Sequence, residues 1–186
     1  MTSPRVEVRL LTHADDLPAD RIATLSTDDL VALTSLIHHA YAPLAAKGLR
    51  YWGSYQTVEE TAVRCARGET WVATLDDEYV GTITLSPKEK AGGSPWLDSP
   101  RVAKFNQLCV HPSHQGRGLG ARLMDVVERR AAELGAAHVA CDTSEHALAL
   151  IRLYERRGYV VVEHVNFRPD YRSVVLSLEL GASTPD

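Results

Sequence analysis

The sequence predicts a single-domain α/β protein built on a mixed, mostly antiparallel sheet of about seven strands with about four helices. Three observations predict it. A chain of 186 residues is about one domain's worth and is long enough to bury roughly 70% of its unfolded surface without staples. Apolar residues make up 45% and charged residues 24%, ordinary globular usage that excludes disordered, collagen-like and coiled-coil chains. Short strand-like runs alternate with runs of helical period, so hairpins and crossover helices are mixed.

The elements follow in order. Residues 6–11 (VEVRLL) read as a first strand. Ser26-Thr27-Asp28-Asp29 offers caps for a helix through about Tyr41, with Leu30, Leu33, Leu36, Ile37 and Ala40 at helical spacing and Pro43 and Gly48 breaking the pattern. An aromatic connection (Tyr51, Trp52, Tyr55) leads to Thr57, which caps a helix over about 58–67 ended by Gly68. Thr70 to Leu75 and Tyr79 to Leu85 form a hairpin about Asp76-Asp77. Residues 86–101 carry Pro, Gly and Ser without periodicity and read as a surface loop. A strand over about 102–110 stops at His111-Pro112, and the glycine-rich stretch 115–120 opens a helix over about 119–134. Leu119, Leu123, Val127, Ala131 and Leu134 are its buried stripe. A strand from His138 to Thr143, a helix from Ala147 to Arg157, and strands 159–164 and 173–180 follow, the last two joined by a polar loop with Asn166, Arg168, Pro169 and Asp170.

Composition bounds the function. Cys65, Cys109 and Cys141 are scattered and odd in number, which reads as reduced core residues of a cytoplasmic protein. Apolar runs stay below the ~18 residues of a membrane span, and the start lacks the apolar region of a secretory signal. A net charge of −4 argues against a dedicated nucleic-acid binder. Residues 111–157 nevertheless carry a net +1 and the remainder −5, a distribution that suits an anionic ligand on one side and a cationic one on the other.

Three readings compete for 111–121 (HPSHQGRGLGA). In the first, a strand–turn–helix points successive backbone N–H groups at an anion, with Gly116, Gly118 and Gly120 letting a pyrophosphate approach and Arg117 and Arg122 adding charge. In the second, Gly116-x-Gly118-x-x-Ala121 is a loose dinucleotide fingerprint, although four residues separate it from its strand and little chain follows. In the third, the glycines only shape a turn. A nucleotide P-loop is excluded because no Gly-Lys-Ser/Thr follows.

Val110-His111-Pro112 followed by Gln115-Gly116-Arg117-Gly118-Leu119-Gly120 resembles the acyl-CoA signature of the GCN5-related N-acetyltransferases, Q/R-x-x-G-x-G/A. Leu153-Tyr154 with Arg157-Gly158-Tyr159 resembles the L-Y-x-x-x-G-F/Y ending of the same family's core, about 35 residues further on. Element order agrees from residue 6 to 180. One departure stands out: where many members carry Asn seven residues before the Tyr and Ala four before it, this chain has Ala147 and Leu150.

The resemblance implies acetyl-CoA as cosubstrate and no metal. The pantetheine would pair with strand 102–110 near Leu108, Cys109 and Val110, and the pyrophosphate would rest on Gln115, Gly116, Arg117, Gly118, Leu119, Gly120 and Ala121. The Val110 N–H would donate to the thioester carbonyl. Tyr154 would be the general acid for the departing sulfur, against the plainer reading of a buried tyrosine that packs its helix on the sheet. An amine of pKa about 10 must also lose a proton, for which Glu145, His146, His111 or a water are candidates. His111 and His114 have H-x-x-H spacing, but no third ligand accompanies them, and His38-His39 reads as one buried and one solvated ring. Tyr41, Tyr51, Trp52 and Tyr55, with Asn166, Phe167, Asp170 and Tyr171, would line the acceptor groove, since aromatic rings hold a cation or stack a ring.

The expected function is transfer of an acetyl group to a primary amine of a small molecule, peptide or amino-acid-like acceptor, in a homodimer by family habit, with no nucleic-acid or membrane partner. The alternatives are a non-catalytic acyl-CoA-binding or sensor protein on the same fold and a dinucleotide-dependent enzyme.

Overall fold

The computed structural model describes residues 6–12, 25–49, 51–86, 93–168 and 171–181. Seven strands and four α-helices occur in the order β1 (Glu7–Thr12), α1 (Thr27–Ala45), α2 (Val58–Cys65), β2 (Glu69–Leu75), β3 (Glu78–Ser86), β4 (Val102–Val110), α3 (Leu119–Glu133), β5 (His138–Ser144), α4 (Leu148–Arg156), β6 (Val160–Arg168) and β7 (Tyr171–Glu179). Short 3₁₀ turns occupy Trp52–Ser54 and Pro112–His114. The seven strands form one mixed sheet in the order β1-β2-β3-β4-β5-β7-β6, in which β4 and β5 run parallel and the β1–β2, β5–β7 and β6–β7 pairs are antiparallel. The β4–β5 pairing covers Val102–Lys104 against His138–Ala140, although β4 runs on to Val110 and β5 to Ser144.

The chain divides into two compact units. One comprises residues 1–84 and 107–127, the other 85–106 and 128–186. In the first, Ser26 caps α1 by accepting the Asp29 N–H at 3.1 Å, and Leu30, Leu33, Leu36, Ile37 and Ala40 are all buried as their spacing predicts. Each leucine so buried stabilises the fold by about 1.5–3 kcal/mol. Leu33 meets Cys65 and Val72, and Leu36, Ile37 and Ala40 meet Cys109. Thr57 and Glu60 close a capping box on α2. The β2–β3 hairpin turns through Asp76 and Asp77, both in the left-handed region (φ 48° and 66°) that such a two-residue turn requires. In the second unit, Leu97, Val102, Ala140, Val165 and Val175 form the core, with Trp96, Val162 and Phe167 against it.

Several sequence expectations need correction. Helix α1 does not stop near Tyr41 but runs through Pro43 to Ala45. Proline there removes one donor only two residues before the helix ends, and the Ala46 N–H still reaches the Ala42 carbonyl at 3.0 Å. The segment 86–101 is not wholly a surface loop: residues 87–92 lie outside the described residues, but Ser94 and Leu97 are buried. Ser94 gives its hydroxyl to Glu163 at 2.6 Å and accepts the Leu97 N–H, so a local turn satisfies its own polar groups and spends its leucine on the core. Asn166 and Phe167 stand in β6, not in a loop, because β6 and β7 pair as far as Arg168 and Tyr171. Leu134 lies beyond the end of α3 and is exposed. All three cysteines are buried free thiols. No described helix is long and apolar enough to cross a membrane.

Candidate functional site

The end of β4 is shaped by a residue that sequence reasoning missed. Gln107 has φ 55°, the left-handed region that a side chain rarely adopts within a strand. Its side chain is buried and fully engaged. Its Oε1 accepts from Gln56 Nε2 at 3.1 Å, and its Nε2 donates to Thr84 Oγ1 at 3.1 Å and lies 3.8 Å from Cys65 Sγ. Gln56, also buried, donates to Thr61 Oγ1 at 2.7 Å and accepts from Arg64 at 2.8 Å. A satisfied amide network of this kind over-determines the local backbone and holds a left-handed residue that would otherwise relax. Two glutamines 51 positions apart give no sequence signal of such a pairing.

Beyond Gln107, the backbone of β4 presents its polar groups in a fixed way. The His111 N–H donates to the Val80 carbonyl at 2.8 Å on the β3 side. Strand alternation therefore turns the N–H and C=O of Val110 away from β3. Gln115 Nε2 donates to that Val110 carbonyl at 3.0 Å, and the Tyr41 hydroxyl donates to the Leu108 carbonyl at 3.3 Å. Cys109 faces the core, where burial above all pushes its thiol up to about 12, and by the same alternation its main-chain groups turn toward β3.

The glycine-rich turn then opens α3. Gly116 and Gly118 have φ 74° and 78°, and a Cβ built on either meets nothing within 4 Å. They are required for their backbone conformation, and they leave open space above it. The first intrahelical bond runs from the Arg122 N–H to the Gly118 carbonyl at 3.1 Å, so the N–H groups of Leu119, Gly120 and Ala121 have no acceptor within the helix. Leu119 is buried and anchors the helix, whereas Gln115, Arg117 and Ala121 are exposed. Arg122 is turned aside, with its guanidinium 3.4 Å from the Val6 carbonyl.

His111 caps the 3₁₀ turn after β4. Its Nδ1 accepts the Ser113 N–H at 3.3 Å and lies 2.7 Å from the Ser113 hydroxyl. An N–H can only donate, so the neutral ring carries its proton on Nε2 and its lone pair is committed to Ser113. Among the described residues no group of three or more His, Cys, Asp or Glu side chains could hold a metal.

The acceptor-side expectations distribute as follows. Trp52 and Tyr55 are exposed, Arg64 lies 5.6 Å over the Trp52 ring, and Tyr41 meets Tyr51 edge-on at 5.6 Å. Gly53 makes this packing possible, since a Cβ there would meet the Tyr41 ring at 3.0 Å. Tyr171 opens β7 opposite Arg168.

In the second unit, Tyr154 is buried on α4 beside Phe105 (6.0 Å between ring centroids) and Tyr159 (5.6 Å). Burial, then the Asp142 charge, hold the Cys141 thiol well above its ordinary range, and a hydrogen bond with Tyr154 partly opposes them. Arg157 Nε and Tyr159 Oη both donate to Glu128 Oε1, at 2.7 and 2.9 Å, pinning the end of α4 to α3. Burial and then the Glu128 charge push the Tyr159 phenol well up. The Glu145 carboxylate stands 3.6 Å from Arg172 and 3.9 Å from His146. Ala147, where many family members carry Asn, is the N-cap of α4 and supplies no side-chain cap.

A strand, a left-handed glycine turn and a helix start therefore stand where the glycine-rich motif predicted them. The sequence model of the Acetyltransferase (GNAT) family matches residues 34–159, more than half of the chain. The chain belongs to the GNAT acetyltransferase family. It is 26% identical over 137 residues to the S-(2-succino)cysteine N-acetyltransferase of Bacillus subtilis, covering 71% of this chain and 79% of that protein. It is 32% identical over 89 residues to human N-acetyltransferase 8B, covering 48% of this chain but only 37% of that protein. It likewise spans 64% of the uncharacterized N-acetyltransferase YjcF of Bacillus subtilis, at 25% identity over half of this chain. Among solved structures, an N-acetyltransferase from Staphylococcus aureus superposes with a TM-score of 0.66 at 15% identity, covering 95% of this chain and 99% of that one. The yncA protein of Salmonella typhimurium, with its cofactor acetyl-CoA, superposes with a TM-score of 0.64 at 20% identity, covering 97% and 98%. At these identities the likeness is one of fold. The GNAT seven-stranded mixed sheet is the architecture described above.

Proposed function

We propose that this GNAT protein transfers an acetyl group from acetyl-CoA to a primary amine of a small molecule, peptide or amino-acid-like acceptor by direct attack. The observation that carries the reading is the turn at 115–121. Two left-handed glycines, space where their Cβ atoms would be, and three helix N-terminal N–H groups without intrahelical acceptors fit a pyrophosphate. Gln115, Gly116, Arg117, Gly118, Leu119, Gly120 and Ala121 would hold it, chiefly through their main chain. Acetyl-CoA, when bound, supplies an activated thioester whose carbon accepts the amine and whose sulfur leaves.

The chain's own groups divide the remaining work. Of Leu108, Cys109 and Val110, the first and last turn their main-chain atoms away from β3 toward the pantetheine arm, and the Val110 N–H faces the charge that builds on the thioester oxygen. Tyr154 is the proton donor for the sulfur. Glu145 and His111 are the candidate proton acceptors named by the sequence, and both are already engaged, Glu145 by the Arg172 guanidinium and the His146 ring and His111 by Ser113. Tyr41, Trp52, Tyr55 and Tyr171 are assigned to the acceptor.

The test is release of the CoA thiol from acetyl-CoA on addition of a panel of primary amines. Amine-dependent release with a matching N-acetylated product is expected. Tight acetyl-CoA binding without turnover of any amine would instead favour the binding-only alternative, toward which the uncapped start of α4 at Ala147 points.

A further inference from the structure

His39, on α1, is a residue that neither motif singles out and that the sequence reads only as one of a pair, one ring buried and one solvated. Its Nδ1 lies 2.8 Å from the Ser35 carbonyl one helical turn back. A carbonyl can only accept, so Nδ1 carries the proton and the lone pair of the neutral ring sits on Nε2. No described residue forms a hydrogen bond with that Nε2, and the ring is exposed. The ring centroid is 5.7 Å from that of His111, the residue that follows Val110, and the His114 ring lies 5.9 Å beyond His111. Among the described residues, these are the titratable rings in contact around it. The neighbouring His38 ring is occupied with the Gln56 carbonyl at 2.8 Å.

The two facing imidazoles are unequal. Protonating His111 at Nδ1 displaces the Ser113 N–H, whereas protonating His39 at Nε2 breaks nothing. We infer that His39, not His111, is the proton acceptor for the incoming amine, with Ser35 as the group that fixes its tautomer. This inference rests on the acetyltransferase reading given above. The acceptor ammonium gives one proton to His39 Nε2, which later passes to solvent. The neutral amine attacks the thioester carbon and forms the C–N bond, the C–S bond breaks, Tyr154 gives its proton to the departing sulfur, and the nitrogen's second proton passes to solvent, from which the Tyr154 phenol is restored.

The experiment compares wild type, His39→Ala and His39→Gln in CoA release from acetyl-CoA with a panel of primary amines that includes benzylamine, over pH 5.5 to 9. With general-base catalysis worth roughly 10²–10⁴-fold, kcat should fall by about that factor in both variants while the acetyl-CoA Kd stays within about twofold. The acid limb of the pH–rate profile should disappear, and added imidazole should restore part of the rate in His39→Ala. Nitrogen-15 NMR of the wild type should show neutral His39 protonated on Nδ1. Variants that keep the wild-type rate and acid limb, or His39 protonated on Nε2, overturn the inference alone. A wild type that binds acetyl-CoA but turns over no amine of the panel overturns the acetyltransferase reading, and this inference with it.

Discussion

The turn at 115–121 and the block around Tyr154 solve opposite problems. The turn is made from main chain: Gly116 and Gly118 are left-handed, its side chains are mostly exposed, and three N–H groups at the start of α3 have no acceptor within the helix. The Tyr154 block is made from side chains: three aromatic rings within 6.1 Å of one another, a buried thiol, and a glutamate shared by an arginine and a phenol. The open surface of the turn is obtained by leaving side-chain atoms out, whereas the Tyr154 phenol is held by packing rings around it. The two regions should therefore fail differently when mutated.

The largest effect is expected at Tyr154. Tyr154→Phe keeps the ring packing and removes only the hydroxyl, so turnover should fall by roughly 10²–10⁴-fold with acetyl-CoA affinity unchanged in calorimetry. Unchanged turnover would reduce Tyr154 to a packing residue. Next comes Glu128→Ala, which strands Arg157 and the Tyr159 phenol in a half-buried site and should cost about 3 kcal/mol in urea unfolding. A cost below about 1 kcal/mol would mean that the block is held by its rings alone.

The turn should respond in binding more than in folding. Gly118→Val forces a branched side chain into φ 78° and should cost about 1–2 kcal/mol of stability while weakening acetyl-CoA about tenfold or more. Full affinity in a folded variant would remove the anion cradle from the account. The smallest effect belongs to Gly120→Ala, because this glycine is helical and its Cβ would meet only Val110 Cγ2 at 3.9 Å. Stability should rise by up to about 1 kcal/mol and acetyl-CoA affinity change by about twofold, which separates loss of conformation from added bulk.

The contrast also explains what the sequence reveals. The turn and the ends of β4 and α3 are legible because glycine spacing and Pro112 are local chemistry. The α1 stripe is legible because its five apolar positions repeat with helical period. Gln56, Gln107 and Gly53 are not legible, since each matters only through a partner brought close by folding, such as Gln107 for Gln56 and the Tyr41 ring for Gly53. Residues 93–101 mislead for the opposite reason: turn residues surround Leu97, whose burial only the core of the second unit decides. His39 is misleading too, because its sequence neighbours say nothing of the His111 ring beside it.

The central claim is that the glycine turn holds an acyl-CoA, and calorimetric titration of the purified protein with acetyl-CoA, with NAD in parallel, tests it most directly. The account predicts acetyl-CoA binding in the micromolar range, weakened in Gly118→Val, and no binding of NAD. A folded protein that binds NAD but not acetyl-CoA would contradict it.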